Sequence, residues 1–406
     1  MGTVVEFEST PVRSVYLDAN ATTPLLPDVL NAMMPWYFSR CGNASSSHAR
    51  GRESRDALEM ARAQVADLIG AQAGQIVFTS GGTEADNLAI FGTAVEPGAH
   101  IITSNIEHHA VLHAVERLRS RLGWTVTYLD PDENGTVNPE DVRRAIRRKT
   151  RLISVMMANN ETGVLQSVEE IGHIARERGV LFHTDAVQAL GKVPIDVKRI
   201  GCDLLSLSAH KMHGPQGAGA LFVREGVKLD PMLVGGAQEA DRRAGTENVA
   251  AIVGFGAAAE IARKGFKDGS MKRMERLRDE LERSLLREAE TAGVNGARNQ
   301  RVPNTTNLWF GGAEGGRLIH VLDRMGVAVS GGSACTASSC EPSHVLLAMG
   351  LSPSRASASI RFSLSKQTSM EDIDFVIWQV SEALENLRSG RSIPPSRRRV
   401  PLPQNA

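Results

Sequence analysis

The chain has 406 residues, too many for one ordinary core, so two packed regions within a single subunit are expected. Its 46 basic and 46 acidic residues cancel, which removes the long-range attraction that general nucleic-acid or acidic-membrane binding relies on. No apolar stretch is long enough to span a bilayer and Met1 to Thr10 lacks the order of a signal peptide; the four cysteines, Cys41, Cys202, Cys335 and Cys340, are too scattered for a disulfide scaffold and fit a reducing cytoplasm.

Ser54 to Ile69 places Leu58, Ala61, Val65 and Leu68 at helical spacing, and Gly70 stops the helix. Gln75 to Thr79 reads as a strand. Gly81-Gly82-Thr83-Glu84 then breaks it and opens a helix, where backbone N–H groups can point at an anion. Taken alone, that segment is an ordinary glycine turn with Thr83 as helix cap. Strand-like runs recur at Ile101 to Ser104, Val126 to Leu129, Leu152 to Val155 and Val180 to His183. Strands separated by helices predict a mainly parallel sheet covered on both faces. His108 opens a helix after a strand, and a lone histidine there is usually a cap or a surface group. Asn159 to Gly163 ends another strand and reads by itself as a turn.

Two apolar runs end in polar residues, His183 to Gln188 and Asp203 to Pro215. Strand ends are where open α/β sheets keep their ligands. From about Ser270 a charged helix, Met271 to Ala292, opens a second region. It holds Thr305 to Phe310, the Gly/Ser-rich run Val329 to His344, the segment Ser359 to Leu364 around Arg361, and a closing helix from about Met370 to Leu387. The tail beyond Pro394 is expected to be disordered.

Pyridoxal phosphate (PLP) chemistry needs a lysine for the Schiff base and a carboxylate to keep the pyridine nitrogen protonated. Lys211 and Asp185 fit those roles, and Ser208 and His210 offer donors for a phosphate. The Gly/Ser-rich run around Cys335 cannot form a stable helix and predicts a mobile loop. A lone thiol in its middle suits a nucleophile that must travel.

These segments, together with Val15 to Pro24 and in matching order to about Arg361, resemble the cysteine desulfurases of the NifS/IscS type, within the class V aminotransferase group of fold-type I PLP enzymes. The resemblance implies an α/β fold with a large domain, residues 1–268, built on a mainly parallel seven-stranded sheet. The first 20 or so residues are able to pack on a smaller C-terminal α+β domain, residues 269–390, and 391–406 is the tail. It implies catalytic roles for Lys211, Cys335 and His108, with His108 flat over the pyridine ring. Gly82, Thr83, Ser208 and His210 would hold the phosphate, joined by Thr246 of the other subunit in a homodimer. Asp185 would meet the ring nitrogen, Gln188 and Asn160 the phenolic oxygen side, and Asn160 with Arg361 the substrate carboxylate.

The substrate so implied is L-cysteine, and the products are L-alanine and a Cys335 persulfide, passed to an iron–sulfur scaffold or another sulfur acceptor. Cys335 would also serve as a transient iron–sulfur ligand, in a housekeeping pathway or one dedicated to nitrogen fixation. Rival readings are selenocysteine lyase, a class V aminotransferase, for which a loop thiol is not needed, and a non-catalytic sulfur-relay scaffold. Departures from the family pattern are Ala44, Gln216, Ser365-Lys366 and Cys340, none of which removes a catalytic group. Cys335, Cys340 and His344 lack the paired spacing and fourth ligand of a zinc site.

Overall fold

The computed structural model describes residues 13–94, 96–332 and 342–389. Twelve strands occur among them: β1 Val15–Tyr16, β2 Ile76–Thr79, β3 His100–Ser104, β4 Thr125–Leu129, β5 Thr150–Ser154, β6 Leu181–Asp185, β7 Leu204–Ser208, β8 Gly219–Val223, β9 Ala292–Val294, β10 Thr305–Phe310, β11 Val327–Ala328 and β12 Ser359–Ser363. Seven of them form one sheet in the order β2-β8-β7-β6-β5-β3-β4. Strands β3 to β7 run parallel, and β8 is antiparallel to both β7 and β2. Strands β3 and β7 are buried along their whole length and β5 at every residue but Arg151, as a sheet covered on both faces requires.

Helices close both faces. Ala49–Leu68 starts five residues earlier than the apolar spacing suggests, because the His48 ring nitrogen caps it by accepting from Gly51 N. It packs on Val249–Gly265, where a Cβ on Gly256 would stand 2.7 Å from Ala61 Cα, so only glycine allows this approach. The charged helix runs Ser270–Glu288 rather than to Ala292. Ala292 instead opens β9, whose pairing with β10 takes over the backbone hydrogen bonds.

A second apolar core surrounds the antiparallel sheet β12-β10-β9, with Leu277 and Leu281 from Ser270–Glu288 and Val376 and Val380 from the helix Met370–Ser389. Val15 and Leu17 belong to this core, and β1 pairs in parallel with β11. The chain between 17 and 23 therefore crosses from the second core to the edge of the first. Among the described residues no helix is long and apolar enough to cross a membrane.

Candidate active site

A cleft of about 250 Å³ opens at the carboxyl ends of β6 and β7, bounded on one side by the start of the helix Gly82–Gly92 and on another by β12. Its lining brings together Gly82, Thr83, Ser208 and His210, which were expected at a phosphate, with Lys211 and Asp185. His108, Asn160, Gln188 and Arg361 line it too. Thr246 does not. It sits in a separate recess beside Thr79 and Ser80. Cys335 and Cys340 lie outside the described residues.

Local structure explains how each group is aimed. The helix Gly82–Gly92 has no side-chain cap, so its first backbone N–H groups stay available to an anion. A Cβ on Gly82 would lie 2.7 Å from Val187 Cγ2 and 3.6 Å from Ser208 Cβ, so the bare glycine lets the helix start press against both strand ends. Thr83 is therefore not the cap. The Ser208 hydroxyl is buried and has no hydrogen-bond partner, which marks it as waiting for one. His210 Nδ1 meets Thr22 Oγ1 at 3.1 Å, and burial and then the Lys211 charge pull its pKa down to about 4.

Asp185 closes β6 and accepts from Val187 N at 2.8 Å. Burial raises its pKa, opposed by that hydrogen bond and by Lys211. A second carboxyl, Asp86, lines the same cleft from the helix Gly82–Gly92; its Oδ1 makes no hydrogen bond and has His183 Nε2 3.6 Å away. Burial, followed by the Asp185 charge, pushes Asp86 well above the usual carboxylate range, so the pair carries one charge more readily than two. Lys211 Nζ donates to Asn20 O at 2.6 Å and Ala21 O at 2.7 Å.

His108 is both a cap and a cleft residue. Its Nδ1 accepts from Ala110 N at 3.1 Å and caps His109–Leu122, so the neutral ring carries its proton on Nε2. Burial first, and Lys211 next, lower its pKa to about 4. His109 packs at a tilt against His344, with ring centroids 4.7 Å apart.

The segment around Asn160 differs from the expected strand end. β5 stops at Ser154, backbone bonds Val155 N→His183 O and Met157 N→Asp185 O carry the alignment a little further, and Asn159–Gly163 is a turn outside the sheet. Asn159 Oδ1 holds that turn by accepting from Glu161 N and Thr162 N. This leaves Asn160 Oδ1 buried and unpartnered. Arg361 sits mid-strand and buried on both faces, so the alternating surface pattern does not apply. One of its terminal nitrogens bonds Asp18 Oδ1 at 2.6 Å and the other Asn160 O at 3.0 Å, while Nε is unpartnered.

The cleft thus holds an amine, a buried carboxylate, an anion cradle and several buried polar atoms that await partners. Residues 15–376 match the family model described as aminotransferase class-V. The chain belongs to the aminotransferase class-V family. Among class-V relatives, the cysteine desulfurase IscS of Methanosarcina thermophila is 48% identical over 395 residues, 97% of each chain. The cysteine desulfurase IscS of Dictyoglomus turgidum is 47% identical over 380 residues, 93% of this chain and 96% of its own. A NifS-like protein of known structure superposes with TM-score 0.86 at 36% identity, covering 92% of this chain and 99% of its own. SspA, solved in complex with cysteine, superposes with TM-score 0.77 at 37% identity over 87% of this chain and 99% of that one.

Class-V enzymes of this kind use PLP, and the residues present fit it. Lys211 would carry it, Asp185 would face its ring nitrogen, and Ser208 with the Gly82–Thr83 backbone would take its phosphate. Sequence reasoning missed Asn20, Asp86 and Lys192. Only Asp86 left a local trace, as an acid three residues after Thr83 on a helix that is otherwise mostly apolar.

Proposed function

We propose that this protein is a cysteine desulfurase that converts L-cysteine to L-alanine and leaves the sulfur as a persulfide on Cys335. The observation that carries the reading is the Lys211 amine in one cleft with Asp185, the unpartnered Ser208 hydroxyl and the unpartnered Nε of Arg361. The names of the relatives supply the substrate class.

When bound, PLP supplies an electron sink for carbon-centred charge. Asp185 keeps the proton on the ring nitrogen. Arg361 binds and orients the substrate carboxylate, with the side-chain N–H of Asn160 as a second donor to it. The Lys211 amine takes the Cα proton. Nε2 of His108, the nitrogen not spent on its helix cap, exchanges a proton with the substrate thiol. The Cys335 thiolate forms a bond to the substrate sulfur while the carbon–sulfur bond breaks, and the electron pair left on Cβ takes a proton. Cysteine plus thiol becomes alanine plus persulfide, with no outside oxidant.

The functional unit in this reading is a cytoplasmic homodimer, organised as a large domain up to residue 268 and a small one from 269. Support for the dimer comes from Thr246, which lines a separate recess and not its own chain's cleft, and from Val234, 84% exposed in the same β8-to-helix connection. The persulfide goes to an iron–sulfur scaffold or another sulfur acceptor. The test is incubation of the PLP-loaded protein with L-cysteine and a reducing thiol, with alanine and sulfide measured together. Equal amounts of both are expected. Pyruvate or glutamate-dependent turnover without sulfide would replace this reading with transamination. Cys335→Ser is expected to keep bound PLP yet form no protein persulfide and almost no alanine, read by mass spectrometry and amino-acid analysis.

A further inference from the structure

The proposed reaction leaves one buried lysine without a task. Lys192 lies just past the strand-end segment that supplies Asp185 and Gln188, and it is 7% exposed. Its Nζ donates to Gln188 Oε1 at 2.7 Å and to Asn20 Oδ1 at 2.9 Å. Both acceptors are neutral amide oxygens. Burial first, and then the charges of Lys211 and Arg361, hold its pKa well below that of an ordinary lysine. An amine supplies two N–H bonds even when neutral, so these contacts do not need the charge.

Gln188 lines the cleft, and its amide orientation is fixed from two sides. Its Nε2 donates to Asn20 O at 2.9 Å. A backbone carbonyl can only accept, so the amide nitrogen must face it and Oε1 must face Lys192. Nε2 then has a second N–H to offer, and a donor is all that Gln188 can present to a ligand. Asn20 is locked into the same arrangement. Its backbone oxygen also accepts from Lys211, and its side chain donates to Asn160 O and Thr305 Oγ1 while accepting from Asn304. A glutamine with its oxygen turned to the cleft would repel an anionic oxygen there.

We infer that Lys192 is a positioning residue, which by holding Gln188 Oε1 and Asn20 Oδ1 fixes the Gln188 amide as a hydrogen-bond donor to the phenolic oxygen of the bound cofactor. The inference rests on the PLP reading above and adds a residue that acts through Gln188 from behind the cleft lining.

The test is a pH titration of the visible absorbance of the PLP-loaded protein, a readout independent of turnover. A donor to the phenolic oxygen favours its charged form, so losing that donor raises the chromophore's pKa, here by about one unit. Lys192→Met and Gln188→Ala should each give this rise. Added to Gln188→Ala, Lys192→Met should give no further shift. If Lys192→Met does not fold, Lys192→Gln replaces it, since its side chain is one atom too short to bridge both oxygens. Equal shifts from Lys192→Met with and without Gln188 would mean that Lys192 acts by charge alone and would overturn the inference. No shift from Lys192→Met in an otherwise wild-type background would overturn it as well. A wild-type protein that binds PLP with no visible chromophore would bring down the cofactor reading first, so the two failures are distinguishable.

Discussion

The two sides of the cleft are built on different principles. On the large-sheet side, the polar groups stand at strand ends and helix starts and are held by neighbours in sequence: Asp185 by Val187 N, His108 by Ala110 N. On the small-sheet side, Arg361 stands in the middle of β12, opposite Asn307 of β10, with its backbone also bonded to Ser330 and its side chain to Asp18 and Asn160. A strand-end group can change without disturbing the ladder behind it. Arg361 lines the cleft and is a core residue together, so under the proposed function its loss should cost both activity and stability.

That contrast can be broken by substitution. The largest effect belongs to Lys211→Ala, which should abolish covalent PLP and reduce alanine release to background while the far-UV spectrum stays unchanged. A borohydride-trapped cofactor on another lysine would contradict it. Asp185→Asn should lower turnover on the order of 100-fold, since a carboxylate facing developing charge is removed but the Val187 N contact keeps an oxygen acceptor. Its melting temperature should stay near that of the parent, and a fall of many degrees would break the comparison.

Arg361→Met should raise KM for L-cysteine and also destabilise the protein by roughly 1–3 kcal/mol, because the half-buried Asp18 carboxylate and the Asn160 carbonyl lose a charged hydrogen-bond donor. Denaturant unfolding reads this, and an unaltered midpoint would place Arg361 with the strand-end class.

The smallest effect is a pH slope. Glu107 is fully buried, accepts from Ser104 Oγ and Met156 N, and burial pushes its pKa up to about 8. A carboxyl with a raised folded-state pKa binds its proton more tightly in the fold, so its contribution is complete below about pH 4.5 and is lost as pH rises toward 8. The buried histidines act with the opposite slope, but only below about pH 6.5, where His108 and His210 remain neutral in the fold. Glu107→Gln should therefore gain on the parent in melting temperature between pH 6.5 and 8. Parallel curves would show that Glu107 is already ionised.

The same division governs what was legible in the sequence. Lys211, Asp185 and Ser208 could be read because strand, polar end and turn are contiguous, and the alternation of strands and helices gave the parallel sheet. The helix from Ala49 was entered late, since a histidine ring nitrogen is an unusual cap. Asn159–Gly163 reads as a turn and is one, but the apolar run before it leaves the sheet at Ser154, so the turn stands several residues past the strand end. Lys192 and Asn20 stayed silent, since their meaning lies in a contact between positions 172 residues apart that no periodicity encodes.

The pairing of Asp18 with Arg361 joins positions 343 residues apart. A ribosome adding 5–20 residues per second needs on the order of 20–70 s to pass from one to the other. For most of that interval Val15–Tyr16 has no β11 to pair with, and Asp18 has neither Arg361 nor Ser363 of β12. The parallel strands β3 to β7 are free to pair early, whereas the cleft can close only when the segment after β1 meets β12 through Asp18. The cleft is thus complete only once synthesis has passed β12.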